Sequence, residues 1–481
     1  MPSSEHEWTS VADYVHSLGL DAYAVGGAVR DELLDLPVRE YDFVVPGLGH
    51  AELRAALEPH GRIEDLVVAD QRVGVRLLPR DRAARALQPT GIELTPPRVE
   101  RSTGPGRHDF EIVADADIPL EEDMRRRDFT INAIARRLAT GELLDPLEGR
   151  RDLERRVLRT TSATSFRDDP LRIVRGLRFV SQLDLEPDED TARQMRDWAP
   201  QIRHVSAERI GGGLAADGLG ELSKLLLGEY PAKALRLARD TGVLAHLLPE
   251  LEPMIGFDQE SRYHDLALDE HVFRVVQAAA DADAPLYVRL AALLHDAGKP
   301  ASSWRGSDGR LHFYARRELG NRSHEEIGAE LAAKTLSRLR YPGRLRAQVV
   351  RIVREHMFTV SKPEDAAKAR RFLHRHGDAM AFDLVAHKRA DLLGKRAGPD
   401  VTADRELERL ERFRRTLARE LDRPHRLDQL AVDGRDLIAI GFVPGPDLGA
   451  VLQHLLSCVI GDPSLNTPDW LRAEAERELR R

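Results

Sequence analysis

Ala22-Tyr23-Ala24-Val25-Gly26-Gly27-Ala28-Val29-Arg30-Asp31 carries three structural signals in succession. Ala22 to Val25 reads as a short buried strand, the two glycines break it, and Ala28 to Leu34 has helical spacing. A strand that ends in Gly-Gly lets backbone N–H groups approach a triphosphate, and the following helix points its positive end at the same place. Arg30, on the first turn, can add a charge-assisted hydrogen bond. A Gly-Gly pair by itself is more often an ordinary turn, so the surrounding sequence has to decide.

Outward from that turn, Tyr41 to Val45 reads as a second strand, Ala51 to Leu57 as a helix, and Arg72 to Leu78 and Gly91 to Thr95 as further strands. The segment Pro79 to Pro105, rich in Arg and Pro, is expected to contain a loop. The strands come in close succession, which predicts an α/β head with a mixed rather than a doubly wound sheet. Glu40-Tyr41-Asp42 is expected on a strand, where i and i+2 share a face and two carboxylates project together. Such a pair is costly without a cation between its members, and two Mg²⁺ ions held there suit activation of a hydroxyl and release of pyrophosphate. The competing reading is a polar strand edge. Glu93 is a candidate third carboxylate, with Asp109 and Glu111 as rivals.

Beyond Asp152 the pattern turns almost wholly helical. Pro170 to Leu183, Glu221 to Leu237 and Leu286 to Leu294 are amphipathic, and a further helix is expected over Leu448 to Val459 after Gly441-Phe442-Val443-Pro444-Gly445-Pro446. The fold class is therefore α+β, a mixed-sheet head followed by an all-α body, divided as 1–150, 151–255, 256–400 and 401–481. A chain of 481 residues suggests roughly three units of about 150 residues each. Charged residues make up 32% and aromatics 5%, which excludes a fibrous or disordered chain. Cys458 is alone, so no disulfide forms within the chain and a reducing compartment is favoured. No apolar run approaches ~20 residues and the N-terminus lacks a signal pattern, so a cytoplasmic protein with no membrane partner is expected. The net charge of −8 weighs against a nucleic-acid partner, but Arg is clustered at 125–127, 150–178 and 338–375.

Two later segments complete the head: Glu122-Asp123-Met124-Arg125-Arg126-Arg127-Asp128-Phe129-Thr130-Ile131-Asn132 and Asp168-Asp169-Pro170-Leu171-Arg172-Ile173-Val174-Arg175. With Gly26-Gly27-Ala28-Val29-Arg30-Asp31 they resemble the class II nucleotidyltransferases, the CCA-adding tRNA enzymes and bacterial poly(A) polymerases, in order, spacing and residue type. The resemblance implies that Gly26, Gly27 and Arg30 hold a triphosphate and that Glu40 and Asp42 are the catalytic, Mg²⁺-binding pair. It assigns Asp123, Arg127, Asp128 and Asn132 to the sugar and phosphates of a nucleotide. Asp169 and Arg172 would read its base, and Arg175 counts among the nucleotide-binding residues. Pro170 is expected to open a helix that puts positions 169 and 172 on one face, where acceptor and donor match the edges of cytosine and adenine. Without the resemblance, that pair reads as a surface ion pair. The sequence departs from the family pattern at Glu40, where Asp stands in the family, and at Asp168, where Glu is usual.

His271, His295-Asp296, His324, His356 and Asp391 follow in an order that resembles the HD phosphohydrolase superfamily, with Tyr263-His264-Asp265 leading in. Imidazole and carboxylate donors suit a divalent transition metal such as Ni²⁺, Mn²⁺ or Co²⁺. His271, His295, Asp296 and Asp391 would form one site, and His324 and His356 would extend it toward a second ion. Any one of these histidines alone is more often a satisfied structural residue. Together the resemblances imply a template-independent enzyme, monomeric or homodimeric, that adds C and A from CTP and ATP to tRNA and carries a metal-dependent phosphohydrolase. A poly(A) polymerase is the nearest alternative. A third reading keeps the head as a degenerate binding module beside an active hydrolase, and Glu40 favours it.

Overall fold

A computed structural model of the chain describes residues 8–68, 71–102, 110–212, 218–260, 266–307, 309–315, 320, 322–395 and 401–480. The chain separates into two compact units, Met1–Glu252 and Pro253–Arg481. Asp109 and the segment Tyr263 to Asp265 lie outside the described residues.

Nine of the strands described in the first unit build its head: β1 Tyr23–Val25, β2 Asp42–Val44, β3 Gly61–Val68, β4 Gln71–Pro79, β5 Ile92–Thr95, β6 Arg98–Ser102, β7 Phe110–Ala114, β8 Ala135–Arg137 and β9 Leu143–Leu144. Seven of them form one sheet in the order β3-β4-β5-β2-β1-β8-β9, and β6 and β7 pair as a separate hairpin. The sheet is mixed, as expected: β2 and β5 are parallel and every other neighbouring pair is antiparallel. Ala24, Val25, Phe43, Val44, Ile92 and Leu94 are all buried, because these short strands are covered on both faces.

Helix α1, Gly27–Leu33, follows β1 directly and buries Ala28 and Val29. Helix α2, Leu120–Arg125, seats Leu120 and Met124 in a cluster with Val25, Val44, Ala133 and Ala135. Helix α3, Leu171–Leu183, buries Leu171, Val174, Leu177 and Phe179, and packs on the helices Glu221–Leu226 and Pro231–Asp240.

Two expectations are corrected. Glu221 to Leu237 is two helices rather than one, because Gly228 and the helix-opening Pro231 interrupt it. Glu40 precedes β2 instead of lying on it, since the strand begins at Asp42. Within Pro79 to Ser102, Asp81 caps a helix over Arg82–Leu87 and the strands Ile92–Thr95 and Arg98–Ser102 follow, with the expected non-helical, non-strand connections between them.

The second unit is helical: α4 Leu268–Asp281, α5 Leu286–Leu294, α6 His324–Arg338, α7 Gly343–Glu355, α8 Asp378–Gly394, α9 Pro446–Gly461 and α10 Pro468–Leu479 are its principal helices used below. Helix α5 is apolar almost all round because it packs between α4, α7 and α8. Among the described residues, no helix is long and apolar enough to cross a membrane.

Candidate functional site

Strand register brings the first carboxylates together. Val25 of β1 pairs with Asp42, Asp42 pairs with Glu93 of β5, and Glu93 pairs with Arg76 of β4. The glycine elbow therefore begins one residue past the position opposite Asp42. Glu40 reaches the same place from the loop before β2: Gly26, Gly27, Arg30, Glu40, Asp42, Arg127, Asp128, Asn132, Asp169, Arg172 and Arg175 all line one cavity of about 570 Å³. Partial desolvation by the cavity walls, then the charge of Glu93 and, more weakly, that of Glu40, push the Asp42 carboxyl up, while Arg127 opposes them. Three acids crowded in this way fit a divalent cation, which would relieve the repulsion. Arg76 already steadies Glu93 at 2.5 Å.

Gly26 has φ +71° and caps α1, a backbone shape L side chains rarely adopt. An added Cβ would stand 2.6 Å from Nη1 of Arg127, so the glycine also makes room for that guanidinium. Arg30 donates to Asn132 Oδ1 at 2.7 Å and to Asp31, with its guanidinium 5.0 Å from the centre of the Phe179 ring. Asn132 in turn donates to Asp128 Oδ1 at 3.0 Å, and Arg175 Nε donates to Asp128 Oδ2 at 2.8 Å. Burial alone would push the Asp128 carboxyl up. Arg175, the Asn132 amide and Arg172 override it and hold the group well below the usual carboxylate range.

Asp123 differs from the others in place. Its carboxylate is fully buried, accepts from Arg126, Arg127 and the Arg98 N–H, and does not line the cavity. It aims the two arginines. Asp169 and Arg172 both line the cavity but not as an i,i+3 pair on one helix, because Asp169 lies ahead of Pro170 and α3 starts at Leu171. Asp169 caps Leu171 at 3.0 Å and pairs with Arg209 at 3.1 Å. Arg172 donates to the carbonyls of Arg126 and Arg127 and to Ser165 Oγ, which fixes its guanidinium plane.

Sequence reading missed Arg39, Arg126, Arg178 and Arg209 in this lining. Arg178 continues the i,i+3 spacing from Arg172 and Arg175, a signal that was present. Burial lowers Arg178 to about 10 despite its pairing with Glu221. Eight arginines against five carboxylates leave the cavity wall cationic, which suits a polyanionic ligand.

In the second unit, His271, His295 and Asp391 place ligand atoms within 4.8 Å of one another, and so do Asp296, His324 and His356. The sequence reading grouped Asp296 with the first set, and the structure sets it between the two. Its Oδ2 lies 3.1 Å from His295 Nε2 and 3.6 Å from His271 Nε2, while Oδ1 lies 3.6 and 3.9 Å from Nε2 of His324 and His356. His295 Nδ1 meets the Ala292 carbonyl at 2.9 Å and His356 Nδ1 meets that of Val353 at 2.7 Å. A carbonyl only accepts, so each ring carries a proton on Nδ1 and turns Nε2 inward.

That donor set fits divalent cations. His324 and His356 bring Nε2 atoms to 3.3 Å of each other beside a carboxylate. Burial pushes both imidazoles down, so they are neutral ligands at neutral pH. Burial would push Asp296 and Asp391 up, but His295 and Lys299 beside the first, and Lys395, His271 and Lys388 beside the second, hold both well below the usual range. A cavity of about 660 Å³ opens onto His295, Asp296, His324, His356 and Asp391. His387 was missed. It lies on α8 one turn before Asp391, its ring 5.1 Å from that of His295, and burial and the His295 charge push it down to about 3. The i,i+4 spacing to Asp391 was its signal.

Three family models match the chain: the poly A polymerase head domain over residues 22–159, the probable RNA- and SrmB-binding site of polymerase A over 184–255, and the HD domain over 268–410. Nucleotidyltransferase and HD domains use divalent metals. The chain is 36% identical to the multifunctional CCA protein of Nitrosococcus oceani over 70% of its own length and 74% of that protein's. It is 33% identical to the A-adding tRNA nucleotidyltransferase of Deinococcus radiodurans over 95% of both. In fold it resembles the Bacillus stearothermophilus CCA-adding enzyme solved with CTP, with a TM-score of 0.66 and 24% identity, covering 100% of this chain and 98% of that one. The Thermotoga maritima CCA-adding enzyme solved with tRNA follows at 0.56 and 21%, covering 98% and 94%.

Proposed function

The chain belongs to the CCA-adding tRNA nucleotidyltransferase and poly(A) polymerase family with an HD domain, and from that premise we propose that it adds C, C and A to tRNA 3′ ends from CTP and ATP. No nucleic-acid template is used, and the second unit hydrolyses phosphate esters. The observation that carries this is the single cationic cavity holding the Gly26-Gly27 elbow, Glu40, Asp42 and the arginines of α3.

The backbone N–H groups of Gly26 and Gly27, with Arg30 and Arg127, bind the triphosphate. Asp128 and Asn132 face the ribose, and Asp123 and Arg175 position them and their neighbours. The Asp169 carboxylate accepts from the amino group that cytosine and adenine share, and Arg172 donates to the adjacent ring nitrogen. Divalent cations, Mg²⁺ at Glu40 and Asp42 with Glu93 alongside, and Ni²⁺, Mn²⁺ or Co²⁺ at His271, His295, Asp296, His324, His356 and Asp391, supply charge neutralisation and nucleophile activation when bound. The division of labour follows 1–150 for transfer, 151–255 for base reading and RNA, 256–400 for hydrolysis and 401–481 as a helical tail. The protein acts in the cytoplasm as a monomer or homodimer.

A second reading, addition of A alone, draws support from the Deinococcus radiodurans relative, which matches over 95% of both chains. The test offers tRNA lacking CCA, and tRNA ending in CC, with CTP, ATP and Mg²⁺, and sequences the products. C, C, A in order supports the first reading. A added only to the CC end supports the second, a run of A points to a poly(A) polymerase, and no extension overturns all three. Asp42→Ala should abolish extension and leave metal-dependent phosphatase activity, while His295→Ala does the reverse.

A further inference from the structure

Helices α9 and α10 pack through Leu455 and Val459 on one side and Leu471 and Ala475 on the other, all buried. Each pair is spaced i,i+4. The same packing brings a second set of i,i+4 pairs together at the edge of that contact: His454 and Cys458 on α9, Glu474 and Glu478 on α10. His454 Nε2 lies 3.4 Å from Glu474 Oε1, 3.8 Å from Glu478 Oε1 and 3.8 Å from Cys458 Sγ. The imidazole and both carboxylates place ligand atoms within 4.8 Å of one another.

We propose that His454, Cys458, Glu474 and Glu478 form a zinc site that clamps α9 to α10, separate from the histidine clusters around Asp296. A tetrahedral ion with Zn–N and Zn–O legs of ~2.05 Å and a Zn–S leg of ~2.3 Å puts its ligand atoms about 3.4 to 3.6 Å apart. The three separations measured from His454 Nε2 are within about half an ångström of those edges, and Cys458, which stands outside the 4.8 Å group of the other three, enters the shell by side-chain rotation. Glu474 keeps Oε2 on Arg477 at 2.7 Å and turns Oε1 to His454, the arrangement of a monodentate ligand. A mixed N, S and O set selects a borderline-soft ion over Mg²⁺ or Ca²⁺. A bare His–Glu contact at this exposure would contribute little. The thiol beside it is what that simpler view leaves without a role. Burial and the charges of Glu474 and Glu478 push the Cys458 thiol up, so the metal-free site keeps its proton. Binding is then a balanced exchange: the S–H bond breaks, the S–Zn bond forms, and the proton leaves to solvent.

Cys458 is the single cysteine in the chain, so any thiolate-to-cobalt charge-transfer band can arise only there. The full chain, stripped with a chelator and dialysed, is titrated with Co²⁺ and then with Zn²⁺. The expected result is a near-ultraviolet thiolate–cobalt band that saturates at a single ion per chain and is abolished by Zn²⁺. It is lost in Cys458→Ser and in Glu474→Gln, and it persists in His295→Ala. Zn²⁺ also protects Cys458 from iodoacetamide in the wild type but not in His454→Ala. No band, a band unchanged in Glu474→Gln, or alkylation indifferent to Zn²⁺ overturns the site.

Discussion

Asp128→Asn tests how the nucleotide cavity is held. The Asp128 carboxylate is 6% exposed, with Oδ1 taking the Phe129 N–H at 2.9 Å and Asn132 at 3.0 Å, and Oδ2 taking Arg175 Nη2 at 2.7 Å. Asparagine keeps Oδ1 but presents an amide N–H to the guanidinium, so the two-point Arg175 contact becomes donor against donor. Hydrogen bonds to charged groups contribute about 1.5–3 kcal/mol each. Arg175 is 34% exposed and retains Glu221 at 3.7 Å, so water and that carboxylate repay part of the loss. The low end of the range applies, about 3 kcal/mol for the pair. For a unit of this size that is a fall of about 6–12 °C in Tm, read by thermal unfolding of the full chain.

Arg175→Met should cost at least as much, because it leaves the more deeply buried Asp128 carboxylate without its main cation, and the double variant should cost less than the two single losses added. The Asp128 carboxyl is held below its ordinary value, so its contribution is full above the unfolded pKa of about 3.9 and fades as pH falls toward the lower folded value. The gap between wild type and variant should therefore be constant near neutral pH and narrow below about pH 4. A Tm change under about 2 °C, or strict additivity in the cycle, refutes the account.

Two further changes probe the elbow and the acids. Gly26→Ala needs a positive φ and puts a methyl 2.6 Å from Arg127 Nη1, so triphosphate affinity measured by calorimetry should fall while the HD phosphatase is unchanged. Asp42→Asn removes a charge whose carboxyl is pushed up in the folded state. Without divalent cation it should raise Tm at pH 7, with the difference vanishing below the unfolded carboxylate pKa of about 3.9, and it should abolish stabilisation by Mg²⁺ with CTP.

The glycine elbow, β1, α1 and α5 were legible because their spacing and punctuation are local. β3 was not, because Gly61-Arg62-Ile63-Glu64-Asp65 alternates weakly and becomes a strand only by pairing along β4. Glu93 was visible only as one of three rival acids, since its role comes from a parallel register with Asp42 across many residues. The order of the HD ligands was readable, but Asp296 standing between two clusters is a matter of tertiary distance. Asp123 looked like a ligand contact by motif, yet burial makes it a brace for Arg126 and Arg127.

The parallel contact between β2 and β5, against antiparallel neighbours throughout the rest of the seven-stranded sheet, makes the acid pair depend on chain segments that never touch a ligand. Side chains on a strand alternate, so sliding β5 by a single residue would swap Glu93 for a neighbour facing the opposite way. Backbone crowding at Gly74, where a Cβ would meet Leu94 O at 2.8 Å, helps lock that alignment. Fidelity of the chemistry is thus guarded partly by a glycine two strands from Asp42, and lesions there would poison turnover while leaving every liganding residue intact.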